Sequence, residues 1–158
     1  MPRLQTAAEL EKLRAGILAS RDPARPCIAV CGGAACDGLD SAAVGAAFAA
    51  EIKKQGVESK INFRVTGCHG YCNKGPNVLV GPGDVCYLEV KPEDVPEVVA
   101  STVRGEVVDR LVYRDPSTGA KAVHMNEIPF YKHQMRILLG DIPRIDPTFP
   151  VSEWTSRK

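Results

Sequence analysis

Six cysteines punctuate the chain, and four of them form two pairs: Cys31 with Cys36, four residues between, and Cys68 with Cys72, three between. Each pair sits in a glycine-rich run, Cys31-Gly-Gly-Ala-Ala-Cys36 and Gly67-Cys68-His-Gly-Tyr-Cys72. Two such pairs supply the four thiolates that a [2Fe–2S] cluster takes, two per iron. Gly and Ala beside the sulfurs leave room for a group bulkier than a bare ion. They also let backbone N–H groups approach its anionic sulfides. Tetrahedral zinc takes four thiolates too, but usually through tighter pairs, commonly Cys-x2-Cys. The Cys-x-x-Cys of thiol–disulfide exchange is absent. The spacing favours iron–sulfur over zinc. The alternative is a zinc-stapled or metal-free adaptor that recruits a partner without redox chemistry. Cys27 and Cys86 lie among apolar strand residues and read as core positions rather than ligands. His69, between two candidate ligands, reads as solvent-facing before it reads as a proton carrier. Tyr71 and Lys74 are given no chemistry.

The surrounding pattern has to bring the two pairs together. Thr6 to Ala19 reads as an amphipathic helix, with Thr6 and Glu9 forming a capping box and Leu10, Leu13, Ile17 and Leu18 on one face. Cys27 to Val30 is a buried strand, and Cys31 to Gly38 a loop. Ala42 to Gln55 is a second helix behind Asp40 or Ser41 as cap. Ile61 to Thr66 is a strand alternating Ile61, Phe63 and Val65 against polar residues. Val78 to Val80 and Val85 to Val90 form a hairpin around Gly81-Pro82-Gly83-Asp84. Pro92 opens a third helix with Val95, Val98, Val99 and Val103 on its apolar face. A strand–helix–strand unit is a right-handed parallel crossover, and the hairpin adds antiparallel strands. The expected fold class is therefore α/β: a thioredoxin-like mixed four-stranded sheet with flanking helices, plus an extended C-terminal segment. Both cysteine pairs follow the carboxyl ends of the two parallel strands, where open α/β sheets put their functional loops. Three stretches are expected: an N-terminal helix over 1–24, the sheet domain over 25–104, and an extension over 105–158. The extension has too few apolar residues in register for a second core. It holds one short helical candidate, Phe130 to Leu139, and is read as a segment that wraps or docks on a partner.

The totals narrow the function. A chain of 158 residues with net charge +1 shows no polyanion-binding surface, so nucleic acid is not an expected partner. No apolar run is long enough to enter a bilayer, and Met1 to Ser20 lacks the apolar stretch of a secretory signal. The expected location is the cytoplasm, where paired cysteines point to metal before disulfides.

Taken together, Ala29-Val30-Cys31 with Cys36, then Gly67-Cys68-His69-Gly70-Tyr71-Cys72 and Gly75-Pro76-Asn77-Val78 resemble the thioredoxin-like [2Fe–2S] ferredoxin domain, over about residues 25 to 103. That domain occurs in the small NADH-dehydrogenase subunit of respiratory complex I. It is also fused ahead of flavoprotein subunits in NADH-linked hydrogenases, formate dehydrogenases and related electron-bifurcating complexes. The resemblance implies Cys31, Cys36, Cys68 and Cys72 as cluster ligands and one-electron exchange with FMN or neighbouring iron–sulfur clusters. The partners it implies are a flavoprotein (FMN/NADH-binding) subunit and other iron–sulfur subunits; a homo-oligomer is left open. Gly105 to Tyr113, Ile128 to Ile137 and Ile145-Asp146-Pro147 resemble the linker leading to the flavoprotein domain. The sequence stops at Lys158, short of that domain's glycine-rich motifs. On its own it is therefore expected to bind neither NAD nor FMN, and to be an electron carrier within an NADH-dependent oxidoreductase complex.

Overall fold

In the computed structural model, which describes residues 4–20, 22, 24–137 and 140–145, two parallel strands form the middle and one edge of a sheet. β1 (Cys27–Cys31) and β2 (Asn62–Thr66) pair from Cys27 with Asn62 to Cys31 with Thr66. β3 (Val78–Gly81) runs antiparallel on the other side of β1, and β4 (Val85–Tyr87) antiparallel to β3. The order β2-β1-β3-β4 is the mixed four-stranded sheet that the sequence pattern predicts.

The two faces of the sheet are covered differently. On one, Ile28, Val30, Val78 and Val80 pack against α3 (Ser41–Lys54) and α4 (Val95–Arg104), through Val44, Phe48, Ile52, Val95, Val98 and Val99. Gly105 ends α4 in the left-handed region, φ 71°, where a residue without Cβ carries no steric cost. On the other face, Ala29, Leu79 and Cys86 are covered by Ala122, Ile128 and Tyr131. Those residues come from the segment after Gly105. It contains the hairpin of β5 (Tyr113–Arg114) and β6 (Lys121–Ala122) and the single turn α5 (Pro129–Lys132). The same segment closes the open edge of the sheet: Cys86 N–H donates to the Val123 carbonyl and Leu88 N–H to that of Leu111, both at 2.9 Å. The extension is thus packed on its own sheet.

The N-terminal helix α1 (Ala7–Ser20) has the predicted box. Glu9 N–H donates to Thr6 Oγ1 and Thr6 N–H to Glu9 Oε2, each at 3.2 Å. Leu10 and Leu13 are half-buried; the side chains of Ile17 and Leu18, read as the rest of that face, lie outside the described residues. Other expectations are corrected. A helical turn, α2 (Ala34–Asp37), stands in the first cysteine loop. α3 begins at Ser41, and Asp40 before it has φ 63° and makes no capping bond with its side chain. β4 stops at Tyr87 because Glu89 turns into the left-handed region, φ 53°. Val65 and Val103 are exposed, since β2 is an edge strand and α4 ends one residue past Val103. The helix read over Phe130 to Leu139 is one turn, with Leu138 and Leu139 outside the described residues. Among the described residues no helix is long and apolar enough to cross a membrane.

Candidate metal centre

Cys31 ends β1, and the second cysteine loop leaves the neighbouring end of β2 at Thr66. The parallel pairing alone therefore sets the two loops side by side. Local bonds then lock them. Gly32 N–H donates to the Thr66 carbonyl and Cys31 N–H to the Asn77 carbonyl, both at 2.9 Å. His69 N–H, from the second loop, points at Cys31 Sγ at 3.4 Å.

All four predicted cysteines converge here. Cys68 and Cys72 Sγ are 3.8 Å apart. Cys36 sits against Cys31, and Cys72 is near enough to Cys36 and Cys31 for charge on one to be felt by the others. The loops interlock through two glycines. A Cβ on Gly33 would stand 2.9 Å from Cys68 Cβ, and one on Gly75 would stand 2.7 Å from Cys36 Sγ. Exposure is uneven: Cys31 and Cys36 are fully buried, while Cys68 and Cys72 are half-buried.

The chemistry of this donor set suits a thiolate-bound metal group. As a free thiol Cys36 is pushed up to about 12 by burial, then by Cys31, against the lowering pull of the Asn77 N–H. Burial and then the neighbouring Cys68 raise the Cys72 thiol as well. A metal cation reverses that balance by taking the thiolate and releasing the proton. The backbone donors that face the sulfurs, His69 N–H and Asn77 N–H, suit anionic sulfur. Among the described residues no three His, Cys, Asp or Glu side chains are set to hold one ion. Zinc draws its thiolates onto a single centre, whereas a two-iron cluster takes them two by two, so the paired arrangement fits the cluster better.

The other residues singled out in the sequence have varied surroundings. Cys86 is buried in the sheet. Cys27 is half-buried and lines a cavity of about 220 Å³ with Arg25, Arg64 and Pro143, on the sheet face away from the helices. His69 is not solvent-facing: it is 1 % exposed, with Nε2 2.7 Å from Thr66 Oγ1. Burial, and then the nearby Arg136, lower its pKa to about 4, so its ring is neutral. Tyr71 stacks on Phe130, centroids 4.3 Å apart, and so ties the second loop to α5. Two residues are given no role of their own in the sequence reading. Asn77, fully buried, bridges the loops: its carbonyl holds Cys31 and its Nδ2 donates to the Tyr71 carbonyl at 3.0 Å. Its sequence signals are its place in the Gly75-Pro76-Asn77-Val78 run and an amide immediately before an apolar strand. Arg136 donates to the His69 carbonyl at 2.6 Å from far along the chain.

Comparison with known proteins bears on this centre. No protein-family model matches the sequence. A "Ferredoxin, 2Fe-2S" of Clostridium pasteurianum is 38% identical over 77 residues, covering 48% of this chain and 76% of the relative. A protein of the same description from Aquifex aeolicus is 52% identical over 48 residues, 30% of this chain and 43% of that one. Among solved structures, the wild-type thioredoxin-like [2Fe–2S] ferredoxin from Aquifex aeolicus superposes with a TM-score of 0.51 at 34% identity, over 57% of this chain and 97% of that one. A cysteine-to-serine variant of the same protein gives 0.51 at 33% identity, over 57% and 99%.

Proposed function

We infer the function of this chain from one premise: it belongs to the thioredoxin-like [2Fe–2S] ferredoxin family. It transfers electrons through a [2Fe–2S] cluster. The finer reading is that Cys31, Cys36, Cys68 and Cys72 hold that cluster, and that the chain serves an NADH-linked oxidoreductase. The observation that carries the ligand assignment is the convergence of four thiols from two loops at one end of the sheet.

When bound, the cluster takes up and gives back one electron at a time. The chain's own residues do the rest. Cys31 and Cys36 hold their side of the group in a buried wall that keeps water out. His69 and Asn77 N–H groups offset negative charge on sulfur. Gly33 and Gly75 allow the loops to close to contact. Tyr71 and Phe130 shield the second loop.

Two observations support a docking partner. Exposed apolar side chains ring the cysteine loops: Leu39 beside Gly75, Phe130 on Tyr71, and Met135 and Ile137 on either side of Arg136. Such a rim beside a functional site favours a protein partner. The sequence from Gly105 on resembles the approach to a flavoprotein domain, which makes that partner a flavin-bearing, NADH-oxidising subunit.

An anaerobic visible spectrum with metal analysis tests the ligand assignment. Purified protein is expected to be red-brown, to bleach on dithionite, and to hold iron and sulfide in equal amounts. Cys68→Ala loses the colour and Cys27→Ala keeps it. A colourless, zinc-loaded protein, or a normal cluster in Cys68→Ala, overturns the reading. For the partner, a Met135→Asp, Ile137→Asp double variant is expected to slow electron transfer from an NADH-linked flavoprotein with the visible spectrum unchanged. An unchanged rate removes this face from the docking surface.

A further inference from the structure

Arg136 is a cation placed on the backbone of the second cysteine loop by a residue 67 positions away. Three contacts fix it there. Its Nη2 donates to the His69 carbonyl at 2.6 Å. Its guanidinium lies 5.4 Å from the centroid of the Tyr131 ring, a cation–π seat on a buried aromatic. The same Nη2 comes so near Gly70 that a Cβ there would stand 2.7 Å away. The residue it holds lies directly after Cys68, and that residue's own N–H reaches Cys31 Sγ. Arg136 is half-buried as a residue, so the clamp is not a freely solvated surface contact.

We propose that Arg136 is a positioning residue that sets how readily this protein is reduced: it clamps the Cys68–Cys72 loop and its fixed positive charge favours the electron-bearing state. The proposal rests on the four cysteines holding the cluster. One electron passes from an external one-electron donor, which is oxidised, to the cluster, which is reduced. No bond forms and no proton moves, so the site gains one unit of negative charge. A guanidinium carries a delocalised positive charge. From a partly buried position its attraction is less screened than that of a surface charge. It therefore stabilises the reduced state over the oxidised one.

The test is a redox titration, followed by visible absorption, of the loaded wild type, Arg136→Gln and Arg136→Lys. The glutamine keeps a donor for the His69 carbonyl and loses the charge; the lysine keeps both. Arg136→Gln is expected to lower the reduced-to-oxidised ratio at a fixed potential roughly tenfold, about 59 mV for one electron. Arg136→Lys stays within about threefold of wild type because the charge is retained. An unchanged ratio in Arg136→Gln, or an equal fall in both variants, overturns the proposal. Should Arg136→Gln not assemble a cluster, Tyr131→Leu, which removes the seat of the guanidinium, decides the matter: a lower ratio supports the charge, an unchanged one overturns it. Failure of the ligand assignment itself looks different, because the wild type would then show no iron–sulfur absorption.

Discussion

Gly33 is one of the two tight points between the cysteine loops, and the one that faces backbone of the other loop as well as side chain. Its backbone, φ −70° and ψ 149°, suits any residue, so the constraint on it is purely one of space. A methyl group there would meet Cys68 at 2.9 Å at Cβ and 3.1 Å at Cα, atoms that cannot swing aside. Gly33→Ala is expected to cost about 1–3 kcal/mol, as overpacking does, and to lower iron bound per chain. Gly38→Ala is the matched control, because its Cβ would meet nothing nearer than 3.6 Å; iron content and the urea midpoint should stay put. Cys86 allows a second forecast. Burial, and then Asp84, push its thiol from 9.0 up to about 12. The unfolded chain gives up that proton first. The stability this thiol contributes is thus whole below pH 9 and drains away as pH rises toward about 12. Urea midpoints measured across that window should fall less steeply for Cys86→Ala than for wild type. At this scale the cysteines were readable because residue type, spacing and flanking glycines all pointed the same way. His69, Asn77 and Arg136 were not readable in the same way. Asn77 and Arg136 donate to backbone carbonyls, which leave no trace in a sequence, and His69 is buried by a fold that turns its ring back onto Thr66.

Among the elements, the start of α4 ties the sheet domain to the C-terminal extension. Asp94 closes the turn Pro92–Asp94: its Oδ2 accepts the Lys91 N–H at 2.8 Å, and its Oδ1 accepts from Arg110 at 2.5 Å. Arg110 also bridges to Glu97 at 2.6 Å. Asp94 is buried, so losing it removes a cap and strands part of a guanidinium fork. Asp94→Ala is expected to destabilise the fold by about 1–2 kcal/mol, read as a lower urea midpoint with an unchanged slope. The mixed parallel and antiparallel sheet, α3, α4 and the capping box of α1 were legible, because each rests on a local pattern the sequence spells out. What misled was parity near the ends of elements. Val65 and Val103 carry the right period but lie where a strand edge or a helix end leaves them in solvent. Alternation tells which way a side chain points and not whether anything covers it.

For the whole molecule, the segment after Gly105 belongs to the fold before it belongs to any partner. Its apolar residues are few and scattered, which made it look coreless. Yet Val108, Leu111, Val112, Ala122, Ile128 and Tyr131 are all buried, each laid on a sheet that already exists. A chain cut after Arg104 should therefore bind a hydrophobic dye, through uncovered Leu79, Cys86 and Leu88, and unfold at lower urea than the full chain. If its midpoint matched that of the full chain, the extension would be a mere passenger. The same packing means that docking is better probed by single exposed side chains than by deletion.

The uneven cover of the two loops gives decay a direction. An oxidant arriving from solvent meets Cys68 and Cys72 first, for their partners Cys31 and Cys36 lie behind them with no exposed surface. If iron is stripped out, those outer sulfurs already face each other at 3.8 Å. The first lesion of an ageing molecule should be a bridge between Cys68 and Cys72, which a thiol reductant reopens. The inner pair survives as thiols, and the protein can be refilled instead of replaced.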